Sequence, residues 1–188
     1  MDRLPVSAAL VIVDVQRAMD DPIWGRRNNP EALPCVVRLL EAWRATLRPI
    51  YHVRHDSTVA KSPFRPGQQG NEFKPEVTPR PGETIVVKRT NSAFIATDLE
   101  SRLRQAGHDT LVVVGWLIDN SVEATVRMAG NLGFETFVVS DATWSVDKRD
   151  RSGRLWSAED VHALSLANMD GEYARVVDTA SLLKALVR

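Results

Sequence analysis

The sequence predicts an α/β fold, with a parallel sheet covered by helices on both faces, and three observations predict it. Strand-like and helix-like segments alternate almost from end to end. The strand-like runs, such as Ala9-Leu10-Val11-Ile12-Val13 and Thr110-Leu111-Val112-Val113-Val114, are continuously apolar, as strands buried on both faces require. Asp14, Lys88 and Ser121 each stand just past such a run, at the carboxyl edge where open α/β sheets bind ligands.

The elements follow in order. The first strand covers about 8–15. A helix follows, with Val36, Leu39, Leu40, Trp43 and Leu47 on one face. Strand two is read at 49–54 and strand three at 83–88, and the next helix carries Ile95, Leu99 and Leu103. Strand four runs 110–114. The helix from about Asn120 buries Val122, Val126 and Ala129 and ends near Asn131-Leu132-Gly133, where Asn or Gly is a usual terminator. Strand five covers 134–140, and a helix over 158–168, a short strand at 174–177 and a helix from Ser181 close the chain. One segment breaks the rhythm: 57–82 holds five prolines and three glycines with little periodicity, and Phe64 and Phe73 are its apolar anchors. Such a loop is either a surface excursion or a cover for the site.

Length points to one domain spanning 1–188. Lys plus Arg and Asp plus Glu number 24 each, which leaves no electrostatic footprint for nucleic acid or an anionic membrane. No apolar run reaches the roughly 18 residues of a membrane span. The N-terminus reads poorly as a secretory signal, and a single cysteine, Cys35, excludes an internal disulfide. A cytoplasmic location is expected.

Three residues carry candidate chemistry. Asp14 is a carboxylate among apolar neighbours, costly to bury unpaired and suited to proton transfer, or else a strand-end cap. Lys88 would pair it and stabilise developing anions, or else is a solvated strand end. Ser121 opens a helix, whose N-terminal N–H groups can hold an oxyanion, yet serine is also a favoured cap without chemistry, and Asp119 competes for that role. His52, His55 and Asp56 suggest a metal, but alternation puts the two histidines on opposite faces of a strand. No metal or cofactor is expected.

The blocks Ile12-Val13-Asp14-Val15-Gln16, Lys88-Arg89-Thr90-Asn91-Ser92-Ala93-Phe94, Gly115 to Arg127, Ala129 to Phe134 and Asp141-Ala142 occur together and in order. With them the chain resembles the isochorismatase-like (cysteine hydrolase) superfamily. The resemblance implies a three-layer α/β/α fold with six parallel strands in the order 3-2-1-4-5-6. It implies a catalytic Asp, Lys and Cys at Asp14, Lys88 and position 121. It also implies an oxyanion hole from the amides of Ile118 and Ser121, and a non-proline cis bond at Leu117-Ile118. The chain departs from the pattern twice. Ser121 replaces the cysteine, a far weaker nucleophile than a thiolate unless a base activates it. It is either a working nucleophile or a replacement that silences the site. Ile118 stands where a smaller residue is usual, which implies a bulkier pocket floor.

The expected substrate pocket takes in Trp24, His52, Arg54, Phe64, Asn91, Phe94, Trp116, Leu117 and Trp144. The leading expectation is a hydrolase of a C–N bond in a small amide, imide or ureido substrate. The alternatives are vinyl-ether hydrolysis of the isochorismatase type, with Arg54 or Arg65 facing a carboxylate, and a non-catalytic relative that binds a small ligand. A homodimer or higher homo-oligomer is expected as well.

Overall fold

The computed structural model describes residues 3–187, the side chain of Val187 excepted. Its strands are β1 (Ala9–Val13), β2 (Ile50–His55), β3 (Thr84–Lys88), β4 (Thr110–Trp116), β5 (Glu135–Trp144), a short antiparallel hairpin of β6 (Lys148–Arg149) and β7 (Leu155–Trp156), and β8 (Arg175–Val177). The helices are α1 (Ala32–Ala45), α2 (Leu99–Gln105), α3 (Glu123–Asn131), α4 (Ala158–Met169) and α5 (Thr179–Val187). The main sheet has six parallel strands in the order β3-β2-β1-β4-β5-β8. That is the expected order, with the last strand renumbered because the hairpin intervenes.

Alternation along the strands divides the core into two layers. Leu10 and Ile12 face one side, where they pack with Leu39 and Trp43 of α1 and Leu182 of α5. Ala9, Val11 and Val13 face the other, with Leu99 of α2, Val126 of α3 and Met169 of α4. Every residue of β1 and β4 is buried, which is why both read as unbroken apolar runs. The crossovers from β1 and β4 leave toward opposite sheet edges, so the switch point lies between these two strands. Gly115 makes their close approach possible. At φ 125° it faces Val13, and a Cβ there would stand 2.0 Å from the Val13 carbonyl oxygen. Only glycine fits.

The structure corrects several boundaries. Ile95 is not on a helical face: residues 92–98 form turns, Ala96 has φ 55°, and Ile95 is exposed. β4 and β5 run further than expected, and a register shift between Val113 and Gly115 lets β5 continue to Trp144. The hairpin at 148–156 had no alternating pattern to announce it. The 57–82 segment folds into short turns at Gln69–Asn71 and Pro75–Val77. Asn71 stitches it down: its side-chain amide donates to the carbonyls of His55 and Phe64 and to Asp56 Oδ1, at 2.8–3.0 Å. Gln16 joins from β1, donating to His55 O and Asn71 O and accepting from the His55 amide at 2.7 Å.

Candidate active site

Each of the three candidate chemical residues is delivered by the end of a different element. β1 stops at Val13, and Asp14 turns the chain with φ 55°, a left-handed conformation that Asp tolerates better than most residues. Lys88 is the last residue of β3. Ser121 lies in a wide π-helical turn, Ile118–Val122, that feeds α3, and it makes no side-chain capping bond there. π-Helical turns of this kind occur often at functional sites.

The three meet around one ammonium. Lys88 Nζ donates to Asp14 Oδ2 at 2.7 Å, to the Thr90 carbonyl at 3.1 Å and to Ser121 Oγ at 3.3 Å. All three of its protons are thus used, and its side chain is fully buried. Asp14 Oδ1 is buried with no hydrogen-bond partner among the described residues. Ser121 Oγ accepts from Lys88, and its own proton has no acceptor among the described residues. The turn that carries Ser121 is fixed from behind, where Thr125 Oγ1 donates to Ser121 O at 2.7 Å and accepts from the Ala93 amide at 3.1 Å. At its front, Asp119 accepts from Ser145 Oγ and pairs with Lys148. Asp119 is therefore not a cap. Among the described residues, neither the Ile118 nor the Ser121 amide donates to a side chain or to a carbonyl outside this turn.

A cavity of about 150 Å³ opens at this cluster. Of the residues expected there, Asp14, Ser121, Trp24, Phe64, Asn91, Trp116 and Leu117 line it. Trp24 and Phe64 meet edge to face, with ring centroids 6.2 Å apart. The remaining expectations are corrected. His52 lies mid-strand in contact with Glu83 and Phe73, well short of the carboxyl edge. Arg54 folds onto Asp56 at 2.9 Å. Phe94 packs on Phe134, and Trp144 sits within β5 behind Trp116, 5.2 Å from its ring. Ile118 turns its side chain into the apolar layer that α2, α3 and α4 share with the sheet rather than under the cavity. The cis bond is Trp116–Leu117, one residue earlier than expected, because β4 extends through Trp116.

The cavity also takes in Met19, His55, Ser62 and Asn120, which sequence reasoning missed. For His55 the signal was present, since it ends β2 and pairs in register with Lys88. Its ring packs on Phe64 at 5.5 Å, and its Nδ1 is buried without a partner. Burial lowers its pKa and the neighbouring Lys88 lowers it further, against Asp14 and Asp56, so the ring is neutral at neutral pH. Among the described residues, no group of three or more His, Cys, Asp and Glu side chains gathers as a metal site would require. Nor is any helix among them long and apolar enough to cross a membrane.

The isochorismatase domain model matches residues 8–181. The chain belongs to the isochorismatase family. It is similar to a crystal structure of a protein described as a hydrolase of that family from Chromobacterium violaceum, at 53% identity and a TM-score of 0.96, covering 100% of this chain and 97% of that one. It is 38% identical over 180 residues to the uncharacterized isochorismatase family protein YrdC of Bacillus subtilis, covering 96% of each. Family relatives include nicotinamidase 3 of Arabidopsis thaliana, 27% identical over 96% of this chain and 89% of that protein. They also include the ureidoacrylate amidohydrolase RutB of Methylobacterium radiotolerans, 32% identical over 58% of this chain and 39% of that protein. The nicotinamidase and the ureidoacrylate amidohydrolase are both named for hydrolytic activities.

Proposed function

We propose that this chain is a hydrolase that cleaves a C–N bond in a small amide, imide or ureido substrate, with Asp14, Lys88 and Ser121 as its catalytic residues. The observation that carries the reading is the single buried ammonium shared by a carboxylate and a hydroxyl at the mouth of a cavity. Ser121 Oγ attacks the carbonyl carbon, and its proton passes to Asp14. Charge develops on the carbonyl oxygen, which the amides of Ile118 and Ser121 receive. Asp14 then returns the proton to the departing nitrogen, and water hydrolyses the resulting ester by the same path in reverse. Lys88 holds the carboxylate and the hydroxyl in place and offsets the negative charge that builds between them. The amide-cleaving relatives support this class of substrate.

The test is ammonia release from a panel of amides, imides and ureides, comparing the chain with Ser121→Ala and Ser121→Cys. The chain turns over at least one compound, Ser121→Ala falls to background, and Ser121→Cys retains or gains activity because a thiol is the better nucleophile. Silence from both the chain and Ser121→Cys across the panel would overturn the reading.

A further inference from the structure

Resting on that hydrolytic reading, we propose that the site is built for an uncharged, flat substrate about the size of one six-membered ring, and that it discriminates against carboxylate-bearing amides. The charge inventory of the cavity carries this. Asp14 is the one lining residue with a formal charge, and Lys88 neutralises it at 2.7 Å. No Arg or Lys is among the described residues that line the cavity. Arg17, Arg54 and Arg65, which adjoin lining segments in sequence, stay off the cavity wall: Arg54 pairs with Asp56 at 2.9 Å, Arg17 with Glu72 at 3.5 Å, and Arg65 donates to the Ala60 carbonyl at 3.2 Å. His55, the remaining candidate cation, is held neutral by its burial and by Lys88.

A substrate carboxylate would lose its water here without gaining a counter-charge, which is costly for a buried ion. A substrate ammonium would meet Lys88 with Asp14 already paired. The polar groups that remain, on Asn91, Asn120, Ser62 and His55, are uncharged and suit amide N–H and C=O groups. Size and shape agree. The cavity measures about 150 Å³, and an apolar cavity of ~150 Å³ accepts benzene. Trp24, Phe64 and Trp116 supply aromatic walls for a planar ring. The vinyl-ether alternative needs a basic residue facing the substrate's carboxylates, and neither Arg54 nor Arg65 lines the cavity.

The experiment uses three ring amides: benzamide, 3-carbamoylbenzamide and 3-carboxybenzamide. The last two match in size and differ in charge. Binding to the intact protein is measured by isothermal titration and ammonia release is followed alongside. The neutral diamide binds at least tenfold more tightly than the carboxylate, and Asn91→Arg, which adds a cation at an exposed lining position with no side-chain bond to lose, narrows that ratio at least fivefold. Equal or tighter binding of the carboxylate, no shift with Asn91→Arg, or no binding of either neutral amide at millimolar concentration overturns the proposal. The two readings fail separately. Neutral-selective binding with no ammonia released by the chain or by Ser121→Cys, here or across the wider panel, sinks the hydrolytic reading and keeps the ligand class. Faster hydrolysis of the carboxylate does the reverse.

Discussion

An ion cluster stands at each end of β3, and the two differ in one respect that matters. Just before its start, Glu83 accepts from Arg44 at 2.7 and 2.9 Å, from the Arg80 amide at 2.9 Å and from His52 Nε2 at 2.7 Å. At its end, Lys88 holds Asp14 by one oxygen and leaves the other without a partner. The first network spends all of its acceptors on the fold. The second keeps one back beside a cavity, and a carboxylate that keeps an acceptor free has somewhere to put a proton. Both are hydrogen-bonded ion clusters at the ends of one strand, the first partly buried and the second fully so, and an ion pair alone does not separate a structural group from a chemical one. The count of unused hydrogen-bonding positions does.

Asp14→Asn is the sharpest way to break this contrast. It removes the proton acceptor, so turnover falls by about 10²–10⁴-fold, the usual weight of a general acid–base group, as kcat on the best substrate of the panel would show. If kcat survives, the free oxygen has no catalytic use. Glu83→Gln should do the opposite, costing stability and sparing kcat. Burial opposes the charge on Glu83, yet hydrogen bonds from Arg44, the Arg80 amide and His52 outweigh it and lower its pKa from 4.5 to about 2. A shift of that size corresponds to about 3 kcal/mol. Because the folded state binds this proton less readily than the unfolded state, the contribution is complete above pH 4.5 and disappears as the pH falls toward about 2. Urea unfolding of the chain and of Glu83→Gln should therefore differ by about 3 kcal/mol at pH 7 and converge in acid. A gap that persists at pH 2 would mean packing rather than ionisation.

Asn71→Ala gives the smallest effect. It frees the wall that carries Phe64 while leaving Asp14 and Lys88, at the ends of β1 and β3, alone. Two of the carbonyls it abandons keep other donors, Gln16 for His55 O and the Ser57 amide for Phe64 O. The loss should therefore be about 1 kcal/mol, with KM rising several-fold and kcat little changed. A fall in kcat equal to the rise in KM would tie the loop to the chemistry itself.

Most of the sheet was readable from residues because double-sided burial forces unbroken apolar runs, and β1 and β4 have them. The positions of Asp14, Lys88 and Ser121 followed from the ends of those runs. The cavity wall was harder. His52 and His55 are three residues apart on one strand, so they differ in face and also in height along it: the mid-strand one meets Glu83, the last one reaches the carboxyl edge. Trp144 falls beyond the strand read at 134–140 because the register shift that prolongs β5 has no sequence mark. Phe94 and Ile118 adjoin the right motifs, but which way each side chain turns is decided by packing against Phe134 and the α2–α3 layer. Whether the 57–82 segment approached the site was open in the sequence, because the contacts of Asn71 span distant parts of the chain.

That segment has a consequence for how such an enzyme could be diversified. The proposed chemistry sits on strand ends of the sheet, whereas Ser62 and Phe64 reach the cavity from an excursion fastened beside them by Gln16 and Asn71 and further along by Arg17, Lys74 and Arg44. Recognition and reaction are therefore carried by separable pieces of chain. An excursion of different length or wall chemistry, re-anchored on the same two amides, would present a new guest to an unchanged trio, much as interchangeable jaws fit one vice.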